Sequence, residues 1–215
     1  MFRYRIADAG TDDLQSWHEL RTGEYLGSGL ITRDELDPES GLFTDKYDEH
    51  STHVLAANDA GQDIGCIRMI EPSDTGRLPV TDIYDIDPLP RSWESSGNVV
   101  LPEYRKSLVK LGFFRALWAL AEEKEFEAMY GIVELPYLDA LLKTTGLPIE
   151  VISEPRFVFN APNVATLITR RSMIAAIESD ADDVPVFAAY FRKPFDWTLS
   201  DHDLIPQAAE TPHSG

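Results

Sequence analysis

A guanidinium brought between two carboxylates makes a charged cluster that can orient a polar ligand. Asp45 and Asp48, three residues apart, stand just before a pair of apolar segments, and Arg68 lies in the second of them. Three charges converging on apolar strands point to a site. The alternative is a fold-stabilising ion pair that pins the N-terminal arm. Glu94 follows Trp93 in a short polar stretch, and a carboxylate at the mouth of a strand can accept a proton directly or through a water. A surface glutamate in a polar loop is the plainer alternative. Arg105, Lys106, Lys110 and Arg115 crowd one helix start. On an acidic chain such a concentration suits a phosphate group or an acidic protein surface, as well as an ordinary solvated helix face. His53 alternates with apolar neighbours and reads as a satisfied core histidine. Cys66, inside an apolar strand, reads as an inert buried thiol.

The elements that must position these residues follow from periodicity. Leu14, Trp17, Leu20, Arg21 and Tyr25 give a helical spacing over residues 11–26, after a Thr-Asp-Asp start. Residues 27–44 read as loop. Residues 52–57 and 63–70, joined by Asn58-Asp59-Ala60-Gly61-Gln62, predict an antiparallel hairpin. Gly97 to Leu101 reads as a short strand ended by Pro102. A helix is expected over 104–124, with Leu108, Leu111, Phe114, Leu117, Trp118 and Ala121 on its apolar face. That face is core first and a tunnel for an apolar chain second. A strand at 128–135, a short helix at 136–145 closed by Gly146, and strands at 147–152 and 163–169 complete an α/β chain with a mixed sheet. Residues 1–178 form one domain on this reading. Residues 179–215, acidic and then aromatic, form an extension that docks Phe187, Tyr190, Phe191, Phe195 and Trp197 on the core or on a second subunit of a homodimer.

Composition excludes several classes. The 215 residues are 43% hydrophobic, which is enough for a sizeable core. Against 19 Lys and Arg stand 37 Asp and Glu, a formal charge of −18 whose field repels a nucleic-acid backbone. One cysteine permits neither an internal disulfide nor a cysteine-based zinc site. No apolar run reaches the roughly 20 residues that cross a bilayer, and the N-terminus lacks a signal-peptide core, so a cytoplasmic protein is expected.

The order of elements, with Val100-Leu101-Pro102-Glu103-Tyr104-Arg105 opening the long helix, resembles the GNAT acyltransferases, whose mostly antiparallel mixed sheet is flanked by helices. More specifically, the segment Asp45 to Ala56, followed by Gly65-Cys66-Ile67-Arg68-Met69, is similar to the acyl-homoserine lactone (autoinducer) synthases and their relatives, the long-chain N-acyl amino acid synthases. Trp93-Glu94-Ser95-Ser96 resembles that branch's Glu-x-Ser-Arg strand. Residues 146–151 and 163–165 resemble its closing strands. About residues 14–170 are covered. The Ser51-Thr52-His53 detail leans toward the N-acyl amino acid synthases.

The resemblance implies an N-acyltransferase that moves a fatty acyl group from a thioester to the amine of an amino acid or similar small molecule. It implies a catalytic set of Glu94 as base with Asp48 and Arg68, and substrate contacts from Asp45, Trp93, Ser96, Val100 and Leu101. Oxyanion donors would be backbone N–H groups near Val100 and Leu101. Arg68 would hold the acceptor's carboxylate, and Arg105, Lys106 and Lys110 would receive the thioester or its carrier. No metal and no cofactor beyond the acyl-carrier-protein or coenzyme A thioester is implied. Two departures qualify this. Gly97 stands where the branch has an arginine, which counts against an autoinducer synthase using S-adenosylmethionine. The pyrophosphate loop has lost both glycines in Arg105-Lys106-Ser107-Leu108-Val109-Lys110. An acyl carrier protein donor then fits better than free acyl-coenzyme A, and a non-catalytic acyl-binding scaffold is the alternative outside catalysis.

Overall fold

The computed structural model describes residues 2–179, 190–192, 195 and 197–199. In chain order the elements are β1 (Phe2–Ala7), α1 (Asp12–Ser28), β2 (Ser51–Ala57), β3 (Asp63–Ile70), α2 (Pro79–Tyr84), β4 (Ser92–Val100), α3 (Val109–Glu123), β5 (Ala128–Glu134), α4 (Leu135–Thr145), β6 (Glu150–Val151), β7 (Arg156–Val158), β8 (Ala161–Thr169), α5 (Arg170–Glu178) and β9 (Thr198–Leu199). The strands make one sheet in the order β6-β8-β5-β4-β3-β2-β1-β9, with β7 also on β8. Among the described residues only the β4–β5 pair is parallel. The sheet is therefore mixed and mostly antiparallel with flanking helices, as the sequence predicts.

Two layers of helices cover it. Tyr4, Ile67, Trp93, Phe113, Leu117 and Ile168 form the larger core beneath α3, α4 and α5. On the opposite face α1 seals Leu55, Cys66 and Val99 with Trp17, and α2 packs Leu78, Val80 and Tyr84 on Ile70 and Tyr130. The two apolar faces explain why β3 is buried along nearly its whole length. Among the described residues no helix is long and apolar enough to cross a membrane.

Several expectations shift. β1 is an additional strand whose Phe2, Tyr4 and Ala7 are buried. β4 begins at Ser92, five residues earlier than the pattern gives, because Gly97 interrupts it as a bulge without ending it. The long helix begins at Val109: Pro102–Tyr104 is a 3-10 turn, and Ser107 Oγ donates to the Tyr104 carbonyl, holding the chain in turns. Arg105 and Lys106 therefore precede the helix. Tyr190, Phe191, Phe195 and Trp197 pack on the chain's own core, while Phe187 and the acidic run from Asp180 to Asp183 lie outside the described residues.

Candidate active site

The hairpin β2–β3 sets Arg68 directly opposite His53, and β4 sets Ser96 on its other side. Alternation then puts Glu94, opposite Ile70, on that same face and sends Trp93 through to the other. Just before β2, the Asp45–Asp48 turn hydrogen-bonds its own backbone. Asp45 N donates to Asp48 Oδ2 at 2.9 Å, and Tyr47 N donates to Asp45 Oδ1 at 2.9 Å. Both carboxylates are thereby aimed at β3. Arg68 donates from Nη1 to Asp45 Oδ1 at 2.9 Å, from Nη2 to Asp45 Oδ2 at 2.6 Å, and from Nη1 to Asp48 Oδ1. The three charges do converge. Both terminal nitrogens of the guanidinium are taken by the two aspartates, while the buried Nε has no hydrogen-bond partner among the described residues, so the contacts of Arg68 are those of a residue holding Asp45 and Asp48 and not of one gripping an acceptor carboxylate.

A second arginine completes the cluster. Arg21, 1% exposed, donates from Nη2 to the Phe43 carbonyl at 2.6 Å and to Asp48 Oδ2 at 3.1 Å. Its guanidinium lies over the Trp17 and Phe43 rings at 4.5 and 4.9 Å. The sequence shows Arg21 only as one member of an otherwise apolar helical stripe; an arginine in that stripe was the available signal. His53 Nε2 sits 3.4 Å from Asp48 Oδ1, behind the cluster. Burial alone would push the Asp48 carboxyl up. The His53 contact and the charges of Arg21 and Arg68 overcome it and hold the group well below the usual carboxylate range.

Glu94 is 2% exposed, so it is no surface side chain. One carboxylate oxygen accepts the Val80 N–H at 2.7 Å, at the start of α2. Burial, only partly offset by that hydrogen bond and the Arg68 charge, pushes the carboxyl up to about 8. A carboxyl tuned this close to neutrality can exchange a proton near physiological pH.

These groups share one cavity. The parallel pairing of β4 and β5 ends at Ser95 and Gly131, after which β4 stays with β3 and β5 stays with β8. The gap opens a cavity of about 700 Å³ that passes between the strands. Asp45, Arg68, Glu94 and Ser96 line one end, and Phe114, Leu141, Leu147 and Ile168 line the other. Val100 is also on the wall, as are Arg105 and Lys110. Asp48 stands behind Arg68 and is not on the wall.

Four expected contacts are corrected. Trp93 faces away, packing on Phe126 with ring centroids 6.3 Å apart, because adjacent strand residues point to opposite faces. The β-bulge that splays β4 falls between the Cys66–Val99 and Arg68–Ser96 pairs, at Gly97-Asn98, and so does not free the backbone near Val100 and Leu101, where the sequence places the oxyanion donors. Leu101 N–H is taken by the Ile64 carbonyl at 2.9 Å, which removes it as an oxyanion donor. Lys106 is exposed and off the cavity wall. Arg115 leaves the basic group altogether: it is buried on the far side of α3, its guanidinium 4.5 Å from the Tyr190 ring. Of the remaining cations, Arg105 pairs with Glu24 at 2.6 Å and donates to the Val100 carbonyl at 3.1 Å. Lys110 lies 4.4 Å over the Tyr137 ring, its pKa lowered by burial and by Arg105.

Comparison with known proteins bears on the fold and the family. No curated protein sequence matches the chain. The structure of BjaI, described as a coenzyme-A-dependent acyl-homoserine lactone synthase with MTA, superposes with a TM-score of 0.64 at 19% identity, covering 81% of this chain and 87% of BjaI. FeeM, an N-acyl amino acid synthase from uncultured soil microbes, gives 0.62 at 17%, covering 79% and 91%. The lactone synthase LasI gives 0.63 at 17%, covering 80% and 93%. Residues 35–171, well over half the chain and all of the cluster except Arg21, match the sequence pattern described as autoinducer synthase. With the splayed β4–β5 cavity, the Asp45–Arg68 pair and Glu94 inside the matched region, the chain belongs to the autoinducer synthase family and is an acyltransferase.

Proposed function

We propose that this acyltransferase moves a fatty acyl group from a thioester to the amino group of an amino acid or a similar small amine. The carrying observation is the single cavity that joins a buried, near-neutral carboxyl at one end to an apolar wall at the other. The acyl chain occupies the end lined by Phe114, Leu141, Leu147 and Ile168, with the thioester between β4 and β5. The acceptor ammonium lies toward Asp45 and Glu94, where negative charge favours it. Glu94 takes one proton from the ammonium and releases it to solvent. The neutral amine attacks the thioester carbonyl carbon, the C–S bond breaks, and the surplus proton on nitrogen leaves with the sulfur as thiol. Asp48, Arg68 and Arg21 keep Asp45 in place. The exposed Lys106 and the loop without glycines support an acyl carrier protein as the donor.

A second reading, lactone-forming autoinducer synthesis, is favoured by the family and by the BjaI structure with SAM and isopentyl-CoA. Gly97 in place of the branch's arginine weighs against it. Mass spectrometry of lipids from an expressing host decides. Acyl amino acids carry the first reading, acyl lactones the second, and a profile identical to that of the empty host overturns both.

A further inference from the structure

The two-residue turn between β7 and β8 holds one residue that its shape disfavours, Phe159, beside one that it suits, Asn160. Val158 pairs with Ala161, which leaves Phe159 and Asn160 as the turn, and both have left-handed φ, 51° and 57°. Such turns favour Asn-Gly, and a bulky aromatic residue is disfavoured there. Strain of this kind persists when the surroundings hold it and often marks a functional position.

The turn is held from two sides: Asn163 Nδ2 donates to the Val158 and Ala161 carbonyls at 2.8 and 3.0 Å, and a second tie reaches the end of α1. Asn160 Nδ2 donates to the carbonyl of Gly29, the residue that ends α1, at 2.9 Å across 131 positions of sequence. Leu30 N and Ile31 N both return to the Tyr25 carbonyl, and the Tyr25 ring stands 5.9 Å from the Phe43 ring. Phe43 in turn lies under the Arg21 guanidinium and gives it its carbonyl. The strained turn is thus tied to the same end of the cavity as the Asp45–Arg68 cluster. Leu30, Ile31, Phe43 and Phe159 all line that cavity, and they make its wall apolar beside the charged groups.

We propose that Phe159, which lines this end of the cavity while remaining half-exposed, determines acceptor specificity: it selects an amine carrying an apolar side chain, such as a branched aliphatic amino acid, over one with a short polar side chain. The inference rests on the acyl-transfer reading for its biological meaning, but the selectivity is a binding property with its own measurement. Hydrophobic pockets separate such ligands by roughly ten- to a few hundredfold.

The test uses the full-length protein with L-leucine and L-serine. Each is titrated calorimetrically without donor and then assayed with decanoyl-acyl carrier protein and, separately, with decanoyl-coenzyme A. Wild type is expected to favour leucine at least about tenfold in Kd, and Phe159→Gly, which suits the left-handed φ and keeps the turn, should remove most of that preference. A Tm equal to or above wild type confirms that Phe159→Gly is folded, and Phe159→Leu should restore part of the preference. Equal affinity for the two amino acids in wild type, binding of neither, or an unchanged preference in Phe159→Gly overturns the proposal. A leucine preference by calorimetry with no acyl-leucine product supports the proposal and counts against the acyl-transfer reading alone.

Discussion

Arg68 and Asp45 meet in a two-point contact, Nη2 to Oδ2 at 2.6 Å and Nη1 to Oδ1 at 2.9 Å, with the arginine side chain 4% exposed and the aspartate 26%. One partner is embedded in the sheet and the other stands on the cavity wall, so a rigid guanidinium fixes a carboxylate where a ligand can meet it. Arg21 and Asp48 bring the cluster to two positive and two negative charges, which is how four ionised groups tolerate this burial.

Arg68→Lys is expected to lower both stability and turnover. A lysine keeps the charge and loses the planar fork, leaving one of the two aspartates without its partner. Asp45→Asn keeps shape and removes only the charge facing the cavity, so it should cut kcat/KM on the order of 10²-fold with a smaller fall in Tm. Thermal melting and steady-state kinetics on the two variants separate the roles. Near-normal kcat/KM in Asp45→Asn would make the pair purely structural.

Glu94→Gln is expected to lower kcat on the order of 10²-fold or more, because an amide accepts the Val80 hydrogen bond and cannot take the proton. Since the carboxyl sits at about 8, wild-type kcat/KM should rise with pH up to that region as the base ionises. The variant should lack this acid limb. If the limb persists unchanged in Glu94→Gln, another group is the base.

The same carboxyl makes a stability prediction of definite sign. Its native pKa is raised above the ordinary 4.5 to about 8, so between those values the native state holds a proton that the unfolded chain has lost. Stability therefore falls as pH climbs from about 4.5 to about 8 and stays reduced above. Glu94→Gln should be more stable than wild type at pH 9, with the gain gone at pH 4. Chemical denaturation at the two pH values measures it, and an equal difference at both would show that the proton is not the cause.

The convergence of Asp45, Asp48 and Arg68 is legible through the family resemblance, in which an Asp-x-x-Asp pair precedes a hairpin that carries an arginine; the hairpin register by itself sets Arg68 opposite His53 and leaves the 45–50 turn unplaced. Glu94 is legible as a chemical group but its burial is not: α2, only six residues long, supplies the covering and the Val80 N–H, and its pattern is too short to read. Trp93 fails for a simpler reason, since a stretch of adjacent residues cannot share one face of a strand. Arg21 is hidden in its apolar stripe, because an arginine there reads as a side chain reaching solvent until Phe43 and Asp48 close over it. The Phe159-Asn160 turn is masked by Phe159, since only Asn160 carries turn chemistry.

Gly97 offers the last prediction. Its φ of +64° lies in the left-handed region, and a Cβ added there would stand 3.1 Å from Trp17 Cζ2. Trp17 has nowhere to move. It is fully buried, and its indole N–H donates at 3.0 Å to the carbonyl of Ile67, a residue the bulge leaves without a β4 partner. Any side chain at 97 must therefore strain the backbone and displace the ring that also carries Arg21. Gly97→Ala should cost about 1–3 kcal/mol, and Gly97→Arg, which installs the branch's usual residue, should cost at least as much without creating lactone formation from S-adenosylmethionine. Urea denaturation of the two variants, together with an assay for acyl lactones, tests this. A Gly97→Arg protein as stable as wild type would mean that the bulge accommodates a side chain after all, and lactone production by it would mean that this one position separates the two acceptor chemistries.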